Sequence, residues 1–308
     1  MSQNKNEMAL CIELVKKASD ITEWFRNKKF KPLKKIDRSP VSVADFASQI
    51  FIINGIKENF PNDQIFAEES EDNLIDNTSE SQIKECFKEL GIEGISDFKK
   101  ELNYRGVKSD RQWTIDPIDG TAGYIEGLTY AIGITHMVNS DPRLCAISVP
   151  DYNKKGLAIF IAEKDNGAQA SYGGDTFQPI HVSNQNKITK ARLCQSLHYD
   201  LPWVTQFADK IGIEERITLD SMSKFCMIAD GSYDLYVKPT FGKEMSSWDY
   251  SPGDLLVKEA GGKVTDLDEE PLKFKEDKCY LASFGIIVSN RILHDEVAVF
   301  IRNNFFSV

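Results

Sequence analysis

The chain has 308 residues, of which 41% are hydrophobic and 27% charged, as in an ordinary globular protein. Its 47 acidic and 37 basic residues give a formal net charge of −10, which argues against a general nucleic-acid binder, because such a protein needs a basic face. A small anionic ligand is not excluded, since bound cations can oppose the overall field locally. The length suggests one large domain or two of ordinary size.

The six cysteines are dispersed without a C-x-x-C pair, which is typical of free thiols in a reducing compartment. The N-terminus is polar and then amphipathic, and it lacks the apolar core of a signal peptide. No apolar run approaches the ~20 residues that span a membrane. We therefore expect a cytoplasmic protein with no membrane partner. The four histidines are scattered, so the sequence shows no zinc-ligand cluster.

Apolar residues at helical spacing predict a first helix over residues 7–28. The basic segment KKFKPLKKIDRSP (28–40) is interpreted as a solvated loop or hairpin. A second amphipathic helix is predicted over residues 45–59, with Asp45 at its start, where aspartate is a good N-cap. Pro61 ends this helix, and QIFAEES (64–70) begins a short strand. Residues 70–111 predict an insert or lid that is partly mobile, with helices in 79–90 and 95–102.

The segment from residue 112 to 183 predicts a meandering antiparallel sheet, with strands at 112–116, 129–138, 143–149, 157–163 and 167–172. Strands and helices then alternate, which indicates a sheet layered between helices. The predicted strands are 192–198, 216–219, 233–237, 263–266 and 284–289, and the predicted helices are 202–212, 221–230, 252–262 and 291–303. The chain is thus expected to be α+β or α/β, with an N-terminal domain over 1–185 and a C-terminal domain over 186–308.

Four acidic stretches stand where a regular element begins or ends. They contain Asp45, Glu68 with Glu69, Asp116 with Asp119, and Asp249. Hard divalent cations such as Mg²⁺ take oxygen ligands, usually a few carboxylates with waters and substrate oxygens. Strand ends suit such ligands because the strands fix the direction of the side chains. These carboxylates are therefore candidates for a metal site.

The stretch WTIDPIDGTAGY (113–124) is a candidate for a metal site that continues into an anion site. Pro117 restricts the backbone after Asp116, so that Asp119 can return to the same side, and the Ile118 carbonyl would add an oxygen. Gly120 allows a phosphate to approach closely, and Thr121 would stand at a helix N-terminus, which favours an anion. Together these features predict metal-assisted phosphoryl transfer to water, although the stretch alone fits a surface turn equally well.

A covalent aspartyl-phosphate is not indicated. Phosphatases of the haloacid dehalogenase type use D-x-D with the first aspartate as nucleophile, whereas this chain has D-x-x-D with Ile118 at the position of the second aspartate.

The segment WDYSPGDLLVKEAGG (248–262) predicts a helix with Ser251 as N-cap and Pro252 at its first position. Asp249 would then project just ahead of the helix N-terminus. The alternative interpretation is a loop residue matched to the helix dipole.

The combination of EES at 68–70, DPIDGT at 116–121 and WD with a trailing GG at 248–262 resembles the lithium-sensitive, Mg²⁺-dependent phosphatase superfamily. That group contains inositol monophosphatases, inositol polyphosphate 1-phosphatases and 3′(2′),5′-bisphosphate nucleotidases. The resemblance runs from the N-terminal helix to about residue 294 and implies a layered αβαβα fold. Residues 39–70, the insert before DPIDGT and LDSMSKFC (219–226) are most similar to the bisphosphate nucleotidases.

The resemblance implies a role for each matching residue. Two or three Mg²⁺ would be held by Glu68, Asp116, Asp119, Asp249 and the carbonyl of Ile118, with Glu69 supporting them. Asp45 and Thr121 would orient and activate the attacking water. Gly120 and Thr121 would touch the scissile phosphate. The nucleotide would be contacted by His198, Ser221, Lys224, Lys238 and Asp249. From the residues alone, the alternative interpretation of 219–226 is an ordinary capped helix with a solvated lysine, and a lone histidine such as His198 is more often a surface or packing residue.

The chain departs from the family pattern at several positions. Ala122 stands where a basic residue is common, and Glu126 stands where the fungal enzymes have arginine. Lys238 replaces a usual arginine, so a bidentate fork becomes a point charge. Ser251 and Pro252 replace small alanines. These changes leave the predicted metal site untouched and bear on the contacts to a second phosphate.

The resemblance implies a phosphomonoesterase that hydrolyses 3′-phosphoadenosine 5′-phosphate to AMP and phosphate. The protein is expected to be a monomer. The 5′-phosphosulfate analogue would be a second substrate, and lithium would inhibit by displacing one Mg²⁺. The alternatives are an inositol polyphosphate 1-phosphatase or inositol monophosphatase and, more distantly, a non-catalytic phosphometabolite sensor.

Overall fold

The computed structural model describes residues 2–29, 33–34, 40–70, 76–198 and 201–305. Two long helices, α1 (Ser2–Lys28) and α2 (Val43–Asn59), pack against each other near the N-terminus. Between them, β1 (Leu33–Lys34) pairs antiparallel with β2 (Pro40–Val41). The rest of the basic segment predicted as a loop or hairpin, residues 30–32 and 35–39, lies outside the described residues.

A seven-stranded sheet follows in chain order, with β3 and β4 parallel and every later neighbour antiparallel. This confirms the predicted meander. The five-residue helix α5 (Thr121–Ile125) interrupts it after β4. The strands are β3 (Gln64–Ala67), β4 (Arg111–Asp119), β5 (Ala131–Val138), β6 (Asp141–Val149), β7 (Ala158–Glu163), β8 (Gly167–Tyr172) and β9 (Gln178–Pro179).

The C-terminal half alternates strands and helices, as predicted. Its five-stranded sheet has the order β11-β10-β12-β17-β14 and contains β10 (Leu193–Gln195), β11 (Arg216–Thr218), β12 (Leu235–Pro239), β14 (Lys263–Asp266) and β17 (Gly285–Ser289). The helices are α6 (Leu201–Ile211), α7 (Ser223–Ala229), α8 (Ser247–Glu259) and α9 (His294–Phe305). A small sheet of β13 (Met245–Ser246), β15 (Lys273–Lys275) and β16 (Lys278–Tyr280) was not predicted, because two or three residues are too few to show an alternation.

These elements stack as five layers. α1 and α2 cover one face of the seven-stranded sheet, and α7 and α8 fill the space between the two sheets. α6 and α9 cover the outer face of the five-stranded sheet, where a third apolar cluster lies. The layered αβαβα fold is therefore confirmed. α8 packs on strands of both sheets. The domain boundary predicted near residue 185 stays a prediction.

The segment between β3 and β4 contains α3 (Asn77–Glu89) and α4 (Phe98–Leu102), near the predicted bounds. Both helices pack against α2, and Ile83, Phe87 and Phe98 are buried in the same apolar cluster as α1. Its mobility and a role as a lid remain predictions, and residues 71–75 lie outside the described part.

All six cysteines are free and buried. Among the described residues, none of the helices combines the length and the apolar character needed to cross a bilayer.

Candidate active site

Three carboxylates meet where the end of β4 faces the first turn of α8. Asp116, Asp119 and Asp249 each offer an oxygen atom, and these atoms lie within 4.8 Å of one another. Asp116 is buried, whereas Asp119 and Asp249 are half-buried at the surface of a cleft. Glu68, one residue beyond β3, lines the same cleft. The structure thus brings together the four acidic side chains that were predicted as metal ligands.

A break in the register of β4 explains how two aspartates three residues apart reach the same site. Residues three apart on a regular strand point to opposite faces, but the pairing with β5 shifts between Asp116 and Asp119. Pro117 cannot donate a ladder hydrogen bond, and the Ile118 N–H donates to the Asp116 carboxylate at 3.2 Å. Gly120 then adopts a left-handed φ of 88° and begins α5.

The electrostatics of these carboxylates fit a bound cation. Burial raises the pKa of Asp116 well above its usual value, and the charges of Glu68, Asp119 and Asp249 add to the shift. Burial also raises the pKa of Asp119 to about 6, although Lys224 and Lys238 oppose the rise. Burial also raises the pKa of Asp249 to about 7, and repulsion from Asp119 and Glu68 is the next largest cause. An all-oxygen set of mutually repelling carboxylates is a donor set for a hard divalent cation.

Asp45 and Thr121 are joined by a hydrogen bond beside this cluster. The Thr121 hydroxyl donates to Asp45 Oδ1 at 3.2 Å or to the Ile118 carbonyl at 3.0 Å. The prediction of Asp45 as the N-cap of α2 is wrong, because Ser42 takes that position in extended conformation. The Ser42 N–H and hydroxyl instead donate to Asp45 Oδ2, at 2.8 and 2.6 Å. Asp45 therefore closes a capping box, which fixes its carboxylate next to Thr121.

The start of α8 also differs from the prediction. The helix begins at Ser247 with Ser246 as N-cap, so Asp249 lies in its first turn and Pro252 lies inside it. The prediction was wrong because the N–H of Ser247 already bonds the Asp277 carbonyl, next to the unpredicted small sheet. Ser251 does not cap. Its buried hydroxyl shares hydrogen bonds with Thr114 at 2.9 Å and Thr135 at 3.1 Å, which tie α8 to the seven-stranded sheet.

The cleft has a volume of about 310 Å³ and is lined on its far side by residues of α7, β12 and the loop after β12. Ten of the twelve predicted site residues line it, namely Glu68, Asp116, Ile118, Asp119, Gly120, Thr121, Ser221, Lys224, Lys238 and Asp249. Asp45 reaches it through Thr121, and His198 lies beside the lining residue Asp220. The described residues 76–110 contribute no lining side chain.

The sequence matches the model of the inositol monophosphatase family over residues 5–303. The chain belongs to the inositol monophosphatase family. It is 31% identical to the 3′(2′),5′-bisphosphate nucleotidase of Schizosaccharomyces pombe, covering 94% of this chain and 93% of that protein. It is also 31% identical to the 3′(2′),5′-bisphosphate nucleotidase of Dictyostelium discoideum, over 86% of each chain.

Two solved structures share the fold of this chain. The Thermotoga maritima IMPase superposes with a TM-score of 0.71 at 22% identity and covers 98% of both chains. The SuhB protein of Bartonella henselae gives a TM-score of 0.70 at 17% identity, over 97% of this chain and 100% of that one.

Two lysines face the acidic cluster of this family member. Lys224 is only 4% exposed, its ammonium group donates to the Leu219 carbonyl at 3.3 Å, and it lies 5.2 Å from the centre of the Tyr236 ring. Burial lowers its pKa to about 8, although Asp119 favours the charged form. Lys238 donates to the Tyr250 hydroxyl at 2.8 Å. The interpretation of Lys224 as a solvated lysine is therefore wrong, because the fold around α7 buries it.

The loop before α7 holds Ser221 and Asp220. Ser221 has a left-handed φ of 75°, and its hydroxyl bonds Ser223. The N–H of Met222, which occupies the N-cap position of α7, donates to the Asp119 carboxylate. The loop is thereby fastened to the acidic cluster rather than forming the capped helix end predicted from the sequence.

Glu69 lies behind the cleft. Its side chain is buried, and its backbone exchanges two hydrogen bonds with the Gln49 amide, at 2.7 and 2.8 Å. The Arg105 guanidinium also donates to its carbonyl at 2.7 Å. These contacts fix the chain next to Glu68.

Several residues that line the cleft were not predicted from the sequence, namely Ser196, Asp220, Tyr236, Lys243, Met245 and Tyr250. Two signals were present. Tyr236 and Lys238 are two apart on a strand and so share a face, and Asp220 belongs to the same LDS motif as Ser221.

Proposed function

We propose that this chain is a Mg²⁺-dependent 3′(2′),5′-bisphosphate nucleotidase that hydrolyses 3′-phosphoadenosine 5′-phosphate to AMP and phosphate. The observation that carries the proposal is the meeting of a carboxylate cluster with Lys224 and Lys238 in one cleft, which Lys243 also lines. The names of the relatives, each aligned along most of the chain, support the same substrate class. The 5′-phosphosulfate analogue is proposed as a second substrate.

The proposed cation ligands are Glu68, Asp116, Asp119, Asp249 and the Ile118 carbonyl, which would hold two or three Mg²⁺. When bound, such cations make water acidic enough to attack at neutral pH and stabilise negative charge on the phosphate and leaving oxygens. Lithium is proposed to inhibit by replacing one of them.

Thr121 and Asp45 are proposed to orient the attacking water and take its proton. A hydroxyl that donates to Asp45 Oδ1 keeps its lone pairs available to accept from water. The contacts of Asp45 Oδ2 with Ser42 hold the carboxylate in position for this role. The proton would thus pass from water to Thr121 and from Thr121 to Asp45.

The phosphate and the nucleotide are proposed to bind between the two walls. Gly120 and Thr121 lie at the cleft surface next to the acidic cluster and would contact the scissile phosphate. A Cβ on Gly120 would lie only 3.1 Å from the Ser221 Cβ, so glycine lets these two loops approach. His198, Ser221, Lys224, Lys238 and Asp249 would bind the remainder of the nucleotide.

We also propose that residues 1–185 and 186–308 act as two domains, and that the protein is a cytoplasmic monomer. In this division the N-terminal domain supplies most of the cation ligands, and the C-terminal domain supplies Asp249 and the nucleotide contacts.

The test is a phosphate-release assay with purified protein and the nucleotide bisphosphate. Release is expected in millimolar Mg²⁺, near-complete loss in EDTA, and inhibition when lithium is added. Inositol 1-phosphate and inositol 1,4-bisphosphate serve as the comparison substrates. Faster release from either inositol phosphate would identify an inositol phosphatase, and binding without turnover of any compound would identify a sensor.

A further inference from the structure

Three segments from different elements meet at the rim of the cleft beside His198. His198 follows β10, Asp220 follows β11, and Glu126 is the C-cap of α5, the short helix that begins at Thr121. The segments are in close contact, because a Cβ on Gly123 of α5 would lie 3.5 Å from Asp220 Oδ2. The surroundings of His198 are therefore set by tertiary packing.

Asp220 holds His198 through both of its oxygens. Oδ1 accepts the backbone N–H of Leu197 at 3.1 Å and of His198 at 3.3 Å, while Oδ2 is hydrogen-bonded to His198 Nδ1. Asp220 is only 5% exposed, so these contacts are largely shielded from water. Because a carboxylate only accepts hydrogen bonds, Nδ1 carries a proton and Nε2 points away from Asp220.

Glu126 lies at the other ring nitrogen. Its Oε1 is 3.7 Å from His198 Nε2, and its side chain is 57% exposed. The hydrogen bond to Asp220 is the main reason that the pKa of His198 is raised, and Glu126 adds to the effect. A protonated ring between two carboxylates carries a net charge of −1 for the three groups together. With a neutral ring the same three groups carry −2, so this triad is acidic in either state of His198, although Arg26 and Lys29 line the pocket on the other side of Glu126.

We propose that Asp220 is a positioning residue for His198 and that Glu126 determines specificity by competing with the non-scissile phosphate of the substrate for His198 Nε2. This inference rests on the proposed function. A ligand that presents neutral hydroxyl groups to His198 is not repelled by the Glu126 carboxylate. A ligand that presents a second phosphate there must displace Glu126 from the imidazole, and its affinity falls accordingly.

The first test compares two nucleotides that share the scissile phosphate. 3′-Phosphoadenosine 5′-phosphate carries the second phosphate, whereas adenosine 3′-monophosphate lacks it. Glu126→Gln is expected to raise the ratio of their kcat/KM values, bisphosphate over monophosphate, by roughly threefold, because Glu126 is exposed and its charge is screened. The gain should shrink at high salt. Glu214→Gln, which removes an exposed charge elsewhere, should leave the ratio as in the wild type.

A ratio that does not rise in Glu126→Gln, or that rises equally in Glu214→Gln, overturns the assignment of Glu126. If the wild-type protein releases phosphate from neither nucleotide, the proposed function fails, and the specificity role of Glu126 fails with it.

The second test does not need turnover. The chain has four histidines, so the His198 ring can be assigned by NMR in histidine-labelled protein and titrated. The pKa of His198 is expected to fall in Asp220→Asn and, by less, in Glu126→Gln. Asp220→Asn should also raise KM for the nucleotide more than it lowers kcat, as expected for a residue that positions a binding group. An unchanged His198 titration in Glu126→Gln contradicts the contact even if Asp220→Asn does not fold.

Discussion

The two walls of the cleft hold their charges in different ways. The acidic wall is fixed by local backbone geometry, namely the register break that turns Asp116 and Asp119 to one side and the first turn that presents Asp249. The basic wall is fixed by packing, because Lys224 and Lys238 extend across the rings of Tyr236 and Tyr250, each at 5.2 Å.

The two walls share one property, because the charges within each wall repel one another and are costly to bury. The carboxylates repel one another, and burial raises the pKa of Asp119 to about 6 and of Asp249 to about 7. The lysines also repel each other, and burial lowers the pKa of Lys224 to about 8. Asp119 links the walls most strongly, since both lysines favour its ionised form, whereas Asp249 is favoured by Lys238. Neither wall is therefore favourable by itself, and the two offset each other across the cleft.

Removing the linking charge should have the largest effect. Asp119→Asn is expected to lower kcat for phosphate release by about 1,000-fold, because a cation ligand is lost where charge develops. The fold should be retained, since asparagine has nearly the same shape and its amide oxygen can still accept the Met222 N–H. Circular dichroism and phosphate release measure the two outcomes, with Asp268→Asn as an exposed control. Near-normal release by the Asp119→Asn variant would falsify the role of the acidic wall.

Removing a charge from the basic wall should weaken binding more than chemistry. Lys238→Met is expected to lower kcat/KM for the nucleotide bisphosphate by roughly 10- to 100-fold, mostly through KM, as for the loss of a hydrogen bond to a charged group. Lys238→Arg should retain most of the activity. Steady-state kinetics provide the measurement, and Lys273→Met, at an exposed position, is the control. A loss confined to kcat would place Lys238 in the chemical step instead.

A steric clash between α7 and α8, the helices that carry Lys224 and Asp249, should lower the stability of the fold. A Cβ on Gly253 of α8 would lie 2.3 to 2.7 Å from atoms of the Phe225 ring on α7, which leaves no room for a methyl group. Gly253→Ala should therefore reduce the free energy of unfolding by about 1–3 kcal/mol, as for an overpacked core. Urea denaturation tests this. Gly174→Ala is the matched control, because its Cβ would meet nothing within 4 Å. Equal stability of the two variants would show that α7 and α8 are not tightly packed.

A smaller effect should come from a buried histidine outside both walls. His136 packs against Trp113 with the rings tilted by 43° and their centroids 4.7 Å apart, and burial lowers its pKa from 6.5 to about 4. Because the unfolded chain binds the proton more readily, stability is present above pH 6.5 and falls as the pH drops toward 4. His136→Phe should reduce the loss between about pH 7 and about pH 5.5 by about 1 kcal/mol. Urea denaturation at both pH values measures it, and an unchanged loss contradicts the shift. His181→Gln, at an exposed position, is the control.

The contrast between the walls also explains what the sequence could predict. The acidic wall comes from short contiguous motifs, so Asp116, Asp119 and Asp249 can be predicted as cation ligands from the sequence. The antiparallel meander and the alternation after residue 185 were equally visible as periodicity. The N-terminus of α8 was misplaced, because Ser251 and Pro252 form a local start signal that the small sheet overrides. The burial of Lys224 and the contact between Glu126 and His198 depend on segments that are distant in sequence. Local sequence patterns cannot predict such contacts.

The most direct test of the two-wall account is the substrate preference of the wild-type protein in Mg²⁺. The kcat/KM values for 3′-phosphoadenosine 5′-phosphate and for inositol 1,4-bisphosphate should be measured side by side under the same conditions. Both compounds carry two phosphates, so they differ in the group that must fit between the carboxylates and the lysines. We expect a clearly higher kcat/KM for the nucleotide. Equal or faster hydrolysis of inositol 1,4-bisphosphate would contradict it.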